Sequence, residues 1–202
     1  MSTVILLLAA GQSHRFGSGE KLLADLAGKP VISWTAQTLA SVSATARIAV
    51  TGSPAVANLL TGYEICDVGD EAPSQSRSLK LGLTRAKTYA PDRVLVVLGD
   101  MPFVTSSHLA RLVDTCASAR QAAATAYGGR PGVPACFRAA DLARLENLSD
   151  DRGARAQLLA LGAAVVEPAA DWHVMDIDTP EDLARARVYA AKAQMASSSR
   201  FS

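Results

Sequence analysis

The run LAAGQSHRFG near the start of the chain contains residues that could bind phosphate groups. Ala9, Ala10 and Gly11 have little or no side chain, so a ligand could approach the main chain there, and main-chain N–H groups bind phosphate oxygens. Arg15 and Lys21 add two cations that would offset the negative charge of a triphosphate and its leaving group. The run predicts a phosphate-binding loop. An ordinary turn with two solvated cations is the alternative.

Two common phosphate-binding patterns do not fit this loop. A P-loop requires GxxxxGK[ST], but here Lys21 follows Glu20 and precedes Leu22. A dinucleotide-binding turn requires GxGxxG, and after Gly17 and Gly19 the third glycine is replaced by Leu22. A phosphate-binding role therefore depends on the small residues and the two cations alone.

Carboxylates follow two later segments of the chain. Gly99 and Asp100 come directly after the apolar run VLVVL, and Asp176 and Asp178 alternate along a segment that we predict to be extended. Alternation puts both side chains on one face, so spacing does not choose between them. Carboxylates suit Mg²⁺, which usually keeps waters and substrate phosphates as further ligands. Helix capping is the alternative, and Thr179 is a good cap for a following helix.

A cluster of hydroxyl groups, SQSRSL, opens the helix that precedes Asp100. Hydroxyls and unpaired N–H groups at a helix start can bind a base edge or a ribose. Helix capping explains one of these serines but not three. Ser76 and Ser78 are our candidates for contacts with a nucleoside.

Short apolar runs alternate with helical patterns along the chain. The strands and helices that they predict must position the candidate loop, carboxylates and serines. The alternation predicts βαβ units and a parallel sheet with helices on both faces. Runs such as VLVVL are typical of strands that are buried on both sides. We predict strands at residues 3–8, 47–51, 63–66, 93–98, 122–126, 135–138 and 163–167. We predict helices at residues 30–41, 55–60, 76–89, 105–119, 152–161 and 180–192.

The composition limits the classes of function. The 202 residues include 49% apolar residues and carry a formal net charge of +1, so nothing indicates a nucleic-acid polymer as partner. Three cysteines without a CxxC pair indicate neither a zinc site nor a redox pair. No run is long enough to cross a membrane. We expect a cytoplasmic protein with a single domain over residues 1–195 and a disordered tail over residues 196–202.

Several motifs resemble those of the MobA-like nucleotidyltransferase family. The string LAAGxSxRxG with a following lysine is similar to the family's leader motif, and LGDMP is similar to its LGDxP motif. MDIDTPEDL resembles the segment before the last helix of the family, which supplies a second metal ligand. SRSL and SDDRGAR resemble the S-x-S-L and G-D-x-G-[AV]-R elements. The resemblance runs from Val4 to about Ala190.

The resemblance implies a doubly wound, three-layer α/β/α fold with a mainly parallel sheet, as in nucleotide-diphospho-sugar transferases. It implies transfer of a nucleoside monophosphate from an NTP to an acceptor phosphate, with Mg²⁺ as cofactor. Asp100 and Asp178 would hold the metal, with Asp176 as the alternative to Asp178. Lys21 would lie at the α-phosphate and Arg15 at the departing phosphates. The other nucleotide-binding candidates are Leu8, Ala9, Ala10, Gly11, Ser76, Ser78 and Gly99.

The acceptor side is implied by the resemblance to the branch that modifies the molybdenum cofactor. Asp151, Arg152 and Gly153 would hold the acceptor, molybdopterin. Val133 departs from that branch, which usually has histidine there. The leader LAAG, rather than LAGG, favours CTP over GTP. GTP, a sugar or alcohol phosphate as acceptor, and a non-catalytic chaperone that hands cofactor to a molybdoenzyme are the alternatives, and transient contact with such an enzyme or its chaperone is expected.

Overall fold

A computed structural model describes residues 1–11, 16, 20–69, 74–146 and 153–198. A seven-stranded sheet runs through the middle of these residues, and a two-stranded hairpin lies apart from it. The strands are β1 (Thr3–Leu8), β2 (Asp25–Leu26), β3 (Lys29–Pro30), β4 (Ala46–Thr51), β5 (Glu64–Asp67), β6 (Arg93–Leu98), β7 (Ala123–Tyr127), β8 (Arg130–Arg138) and β9 (Ala164–Val166). Their order in the large sheet is β5-β4-β1-β6-β8-β7-β9, and only β8 runs antiparallel to its neighbours.

Helices cover both faces of this sheet. They are α1 (Val31–Ala40), α2 (Pro54–Ala57), α3 (Gln75–Lys87), α4 (Ser106–Ser118), α5 (Leu142–Glu146), α6 (Gly153–Ala160) and α7 (Pro180–Ser198). Short 3-10 helices occur at Lys21–Leu23, Ala139–Asp141 and Asp171–Val174.

The alternation of side chains along β1 divides the core into two layers. Ile5 and Leu7 pack with apolar residues of α1, α4 and α7, whereas Val4 and Leu6 pack with those of α3, α5 and α6. All four side chains are fully buried, as expected for a central strand covered on both faces. The doubly wound arrangement with a mainly parallel sheet is therefore confirmed.

Strand β8 is longer than the sequence predicts. We expected it at residues 135–138, but it begins at Arg130, directly after a two-residue turn. Gly128 and Gly129 form this turn with φ of 57° and 76°, values that suit a tight hairpin and that glycine adopts without strain. Pro131 and Pro134 made a strand over these residues hard to predict from the sequence, because proline cannot donate a ladder hydrogen bond.

The C-terminal helix also differs from the prediction. Helix α7 continues to Ser198 and so overlaps the expected tail at residues 196–198, while residues 199–202 lie outside the described part. Helix α5 was not predicted. None of the helices in the described ranges is both long and apolar enough to cross a bilayer.

The connections place the candidate segments at one end of the sheet. From β1 the chain first builds β4 and β5 on one side and then returns to β6 on the other. Ligands bind at such a switch point in open α/β sheets, beyond the carboxyl ends of the strands. The Gly99 N–H donates to the Leu8 carbonyl at 2.9 Å, so the segment after β6 lies directly beside the Gly-rich loop after β1.

Helix α3 packs against β1 so closely that a glycine is needed at the contact. A Cβ atom on Gly82 would lie 2.8 Å from Leu6 Cδ2 and 3.0 Å from Val50 Cγ2. We expect Gly82→Val to lower the free energy of unfolding by about 1–3 kcal/mol through overpacking. Urea unfolding measures this change. Gly11→Ala is the control, since no atom lies within 4 Å of a Cβ there. Equal losses in the two variants would contradict the packing argument.

Candidate functional site

A cavity of about 410 Å³ opens at the carboxyl ends of β1 and β6. Residues from five separate parts of the chain line it: Leu8, Ala9, Ala10, Gly11, Lys21, Leu22, Gln75, Ser78, Leu98, Asp100, Asp176 and Asp178. The structure thus brings together the Gly-rich loop, the start of α3, the segment after β6 and the segment before α7.

Lys21 connects the predicted metal-binding carboxylates. Its Nζ lies 2.5 Å from Asp100 Oδ2 and 2.7 Å from Asp178 Oδ1, and its side chain is only 8% exposed. Burial alone would lower the pKa of the Lys21 ammonium. The charges and hydrogen bonds of the two carboxylates outweigh that effect, so the pKa lies above its usual value. Lys21 is therefore a buried, charged group at the centre of the site.

Asp100 has an oxygen that can take a further ligand. Its Oδ2 accepts from Lys21, whereas its Oδ1 is buried and has no hydrogen-bond partner among the described residues. A buried acceptor without a partner is costly, which makes a bound cation a natural partner. No group of three or more His, Cys, Asp or Glu side chains in the described ranges is arranged as a complete metal site. Two carboxylates nevertheless fit Mg²⁺, since substrate phosphates and waters supply its other ligands.

The segment before α7 is held in place at both ends. The Ile177 N–H donates to the Asp100 carbonyl at 3.0 Å, which sets Asp176 and Asp178 beside Asp100. At the start of α7 the Thr179 hydroxyl accepts from the Asp182 N–H at 3.1 Å, and Asp182 Oδ2 accepts from the Thr179 N–H at 2.9 Å. Capping and site formation therefore involve different acids of this cluster.

Aromatic packing supports the same segment from behind. Trp172 stacks on Tyr189 of α7 with centroids 5.4 Å apart, and Phe103 meets Trp172 edge-on at 5.6 Å. Phe103 follows Asp100 by three residues, so the cluster connects the two acidic segments. Trp172 is thus a packing residue.

The described part of the Gly-rich loop faces the cavity with Ala10 and Gly11. The Ala9 N–H donates to the Val50 carbonyl at 2.8 Å and so belongs to the sheet. A Cβ atom on Gly11 would have no neighbour within 4 Å. The described residues therefore leave open space beside Gly11, which is room for a ligand.

Gly99 lies next to the cavity but does not line it. A Cβ atom there would lie 2.7 Å from Ile32 Cδ1 and 3.4 Å from the Leu8 carbonyl oxygen. The Gly99 carbonyl accepts from the buried Thr35 hydroxyl at 3.1 Å. Gly99 thus allows the ends of β1 and β6 to lie close together.

Helix α3 presents Gln75 and Ser78 to the cavity. Ser74 caps this helix, because its Oγ accepts from the Arg77 N–H at 3.1 Å. Ser76 is buried beside the Ser74 hydroxyl at 3.1 Å and does not line the cavity. Residues two apart point in different directions on a helix, so Ser76 and Ser78 do not share a face.

Other predicted site residues lie elsewhere. Arg15, Asp151 and Arg152 fall outside the described residues. Gly153 is the first residue of α6.

Gln75 and Tyr127 belong to the neighbourhood of the site but were missed in the sequence. Gln75 lies three residues before Ser78, a spacing that could have indicated the shared helix face. The Tyr127 hydroxyl donates to the Val133 carbonyl at 2.5 Å. Burial, followed by the nearby charges of Asp176 and Asp100, raises the pKa of Tyr127, so its phenol stays protonated. No sequence signal marked Tyr127, because it reaches the site only through the β7–β8 pairing.

Comparisons with known proteins agree with this geometry. The molybdenum cofactor guanylyltransferase of Cereibacter sphaeroides is 30% identical over 189 residues, which are 90% of this chain and 93% of that protein. The bifunctional protein GlmU of Rhodospirillum rubrum is 28% identical over 171 residues. That alignment covers 79% of this chain but spans only 36% of the length of GlmU.

A solved structure of CMP:2-keto-3-deoxy-manno-octonic acid synthetase in complex with CTP has the same fold. It superposes with a TM-score of 0.78 at 16% identity, over 96% of this chain and all of the other. The model of the MobA-like NTP transferase domain matches residues 5–167, from β1 to the end of β9, and stops before Asp176 and Asp178. With this match over most of its length, the chain belongs to the MobA-like NTP transferase domain family and is a nucleotidyltransferase.

Proposed function

We propose that the protein transfers a nucleoside monophosphate from an NTP, with CTP favoured, to the phosphate of molybdopterin cofactor and releases pyrophosphate. The observation that supports this most strongly is the buried Lys21 between Asp100 and Asp178, on the wall of a cavity of about 410 Å³. Such a cation and such carboxylates are suited to a polyphosphate. The remaining wall consists of the small residues of the Gly-rich loop, three leucines, Asp176 and the start of α3.

The proposed reaction requires mainly positioning and charge stabilisation from the chain. Ala10 and Gly11 would let the phosphates approach the main chain. The Lys21 ammonium would move from its carboxylate partners to an α-phosphate oxygen, where negative charge builds up as the acceptor phosphate attacks. Its raised pKa keeps it charged for this role. Arg15 would lie at the departing pyrophosphate.

The residues suited to hold Mg²⁺ are Asp100 and Asp178, with Asp176 as the alternative. A bound Mg²⁺ would supply positive charge that offsets the negative charge of the phosphates and so lowers the barrier to attack. Asp100 offers the unpartnered Oδ1, and Asp178 faces it across the Lys21 ammonium. When the Lys21 ammonium moves away, the Asp100 and Asp178 carboxylates would both face the point that it had occupied.

The choice of CTP is supported by the LAAG leader, and a relative of the same fold binds CTP. Gln75 and Ser78 would face the base, since both line the cavity at the start of α3. Amide and hydroxyl groups can donate and accept, so they can pair with either a cytosine or a guanine edge.

GTP is a second candidate donor. The relative from Cereibacter sphaeroides is named a guanylyltransferase and aligns along 93% of its own length. The acceptor is proposed from the same relative and from the SDDRGAR segment, whose Asp151, Arg152 and Gly153 would hold it.

A nucleotide panel tests the donor. The protein is incubated with molybdopterin cofactor, Mg²⁺ and each of the four NTPs in turn. We expect pyrophosphate release with CTP, and a product heavier than the cofactor by one cytidylyl group in mass analysis. Release with GTP alone would make the protein a guanylyltransferase. Release with neither nucleotide, while both bind, would favour the non-catalytic chaperone.

Asp100→Asn tests the acidic centre. It keeps the size of the side chain but removes the charge, so we expect turnover to fall by at least about 100-fold with the fold preserved. Asp114→Asn is the matched control, because it makes the same change on an exposed face of α4. Turnover is measured by pyrophosphate release and folding by thermal melting. Near wild-type turnover in Asp100→Asn would show that this carboxylate holds no metal.

Asp178→Asn and Asp176→Asn decide which acid is the second ligand. Asp178 contacts Lys21 and we expect its variant to lose at least about tenfold more activity than Asp176→Asn. Excess Mg²⁺ should partly restore Asp178→Asn, because weaker metal binding is offset by mass action. The titration of activity against Mg²⁺ concentration measures this. The reverse order would assign the metal to Asp176.

A further inference from the structure

A second cavity, of about 300 Å³, lies at the opposite end of the sheet from the candidate site. It opens where β6 begins and β8 ends, and α4 forms one wall. Its lining residues are Met1, Pro91, Asp92, Arg93, Cys116, Ala117, Arg120, Arg138, Ala139 and Ala140. Arg93 is the first residue of β6, and Asp100 follows the end of this strand by two residues, so about 20 Å separates the two cavities.

Arg93 is a buried cation that interacts with the neighbouring Asp92 carboxylate through space but does not contact it. Its residue is only 6% exposed. Nη1 donates to the Val113 carbonyl of α4 at 3.2 Å and Nη2 to the Met1 sulfur at 2.6 Å, which is a weak acceptor. Among the described residues no carboxylate lies within ion-pair distance of it. A buried charge without a counter-ion is costly, so this position favours an anion.

Two more guanidinium groups line the same cavity. Arg93 and Arg138 are directly paired across β6 and β8, and like charges in that position repel each other. Arg138 forms a two-pronged ion pair with the buried Asp141, at 2.8 Å for both contacts. Arg120 lies exposed at the rim, beyond the end of α4.

The carboxylates nearby do not neutralise this cluster. Asp141 is committed to Arg138. Asp92 is exposed and turns to Ser2, whose N–H donates to Asp92 Oδ2 at 2.6 Å. Three guanidinium groups therefore meet two carboxylates, neither of which contacts the buried Arg93 directly, so the positive charge of the cluster is compensated only in part.

We propose that this cavity is a binding site for a phosphate group, carried by inorganic phosphate or by a small phosphate monoester. Planar guanidinium groups match the geometry of phosphate oxygens and bind them through paired hydrogen bonds. Arg93 forms the floor of the site, Arg138 one side and Arg120 the entrance. The volume lies at the lower end of the range for small-molecule pockets, which suits a ligand of this size.

Titration calorimetry tests the site on the full chain. Inorganic phosphate and glycerol 3-phosphate are titrated separately, with EDTA present to prevent binding through metal ions. The variants are Arg93→Gln, Arg120→Gln and, as a matched control for loss of a surface arginine, Arg144→Gln on α5. Lys21→Gln removes the cation of the first cavity and so shows whether phosphate binds there instead.

We expect at least about tenfold weaker binding in Arg93→Gln and a smaller loss in Arg120→Gln. Arg144→Gln and Lys21→Gln should bind as the wild type does. The ligand with the lower Kd identifies the phosphate source. The proposal is overturned if neither ligand binds the wild type below about 10 mM, or if only Lys21→Gln loses binding. If Arg93→Gln does not fold, unchanged binding in Arg120→Gln likewise overturns it.

Discussion

The ammonium of Lys21 between Asp100 and Asp178 is the contact on which the candidate site depends. It joins residues that are 79 and 157 positions apart in the chain. Three segments thus converge on one buried charge. Each carboxylate holds the lysine protonated, and the lysine in turn offsets the repulsion of two acids at one strand edge.

Apolar packing makes this convergence possible. Strand β1 is buried on both faces, and β4 and β6 pair with it on either side. Gly82 lets α3 approach β1, and Gly99 lets the end of β6 approach the end of β1. The aromatic contacts of Trp172 and Tyr189 fasten the last acidic segment. The charges are thereby placed on a packed frame of strands and helices.

Both ends of β6 carry buried charge, but the two ends differ. At the carboxyl end acids outnumber the cation, and one Asp100 oxygen has no hydrogen-bond partner among the described residues. At the amino end cations outnumber the acids, and no carboxylate of the described residues contacts Arg93. A buried charged or polar group is tolerated in a folded protein only where a partner group or a ligand compensates it. A ligand of opposite charge at each end would account for both.

The sequence by itself determined the fold class, the order of most strands and helices, and the segments of the site, since apolar periodicity and short motifs are local properties. It also predicted roles for Lys21, Asp100 and the pair Asp176 and Asp178, all of which line one cavity. Only the tertiary structure decided that Gln75 lines the cavity with Ser78, while Ser76 does not. It also revealed the full length of β8 and that no carboxylate of the described residues contacts Arg93. These features depend on which helix face meets the sheet and on pairing between distant strands, which local patterns do not encode.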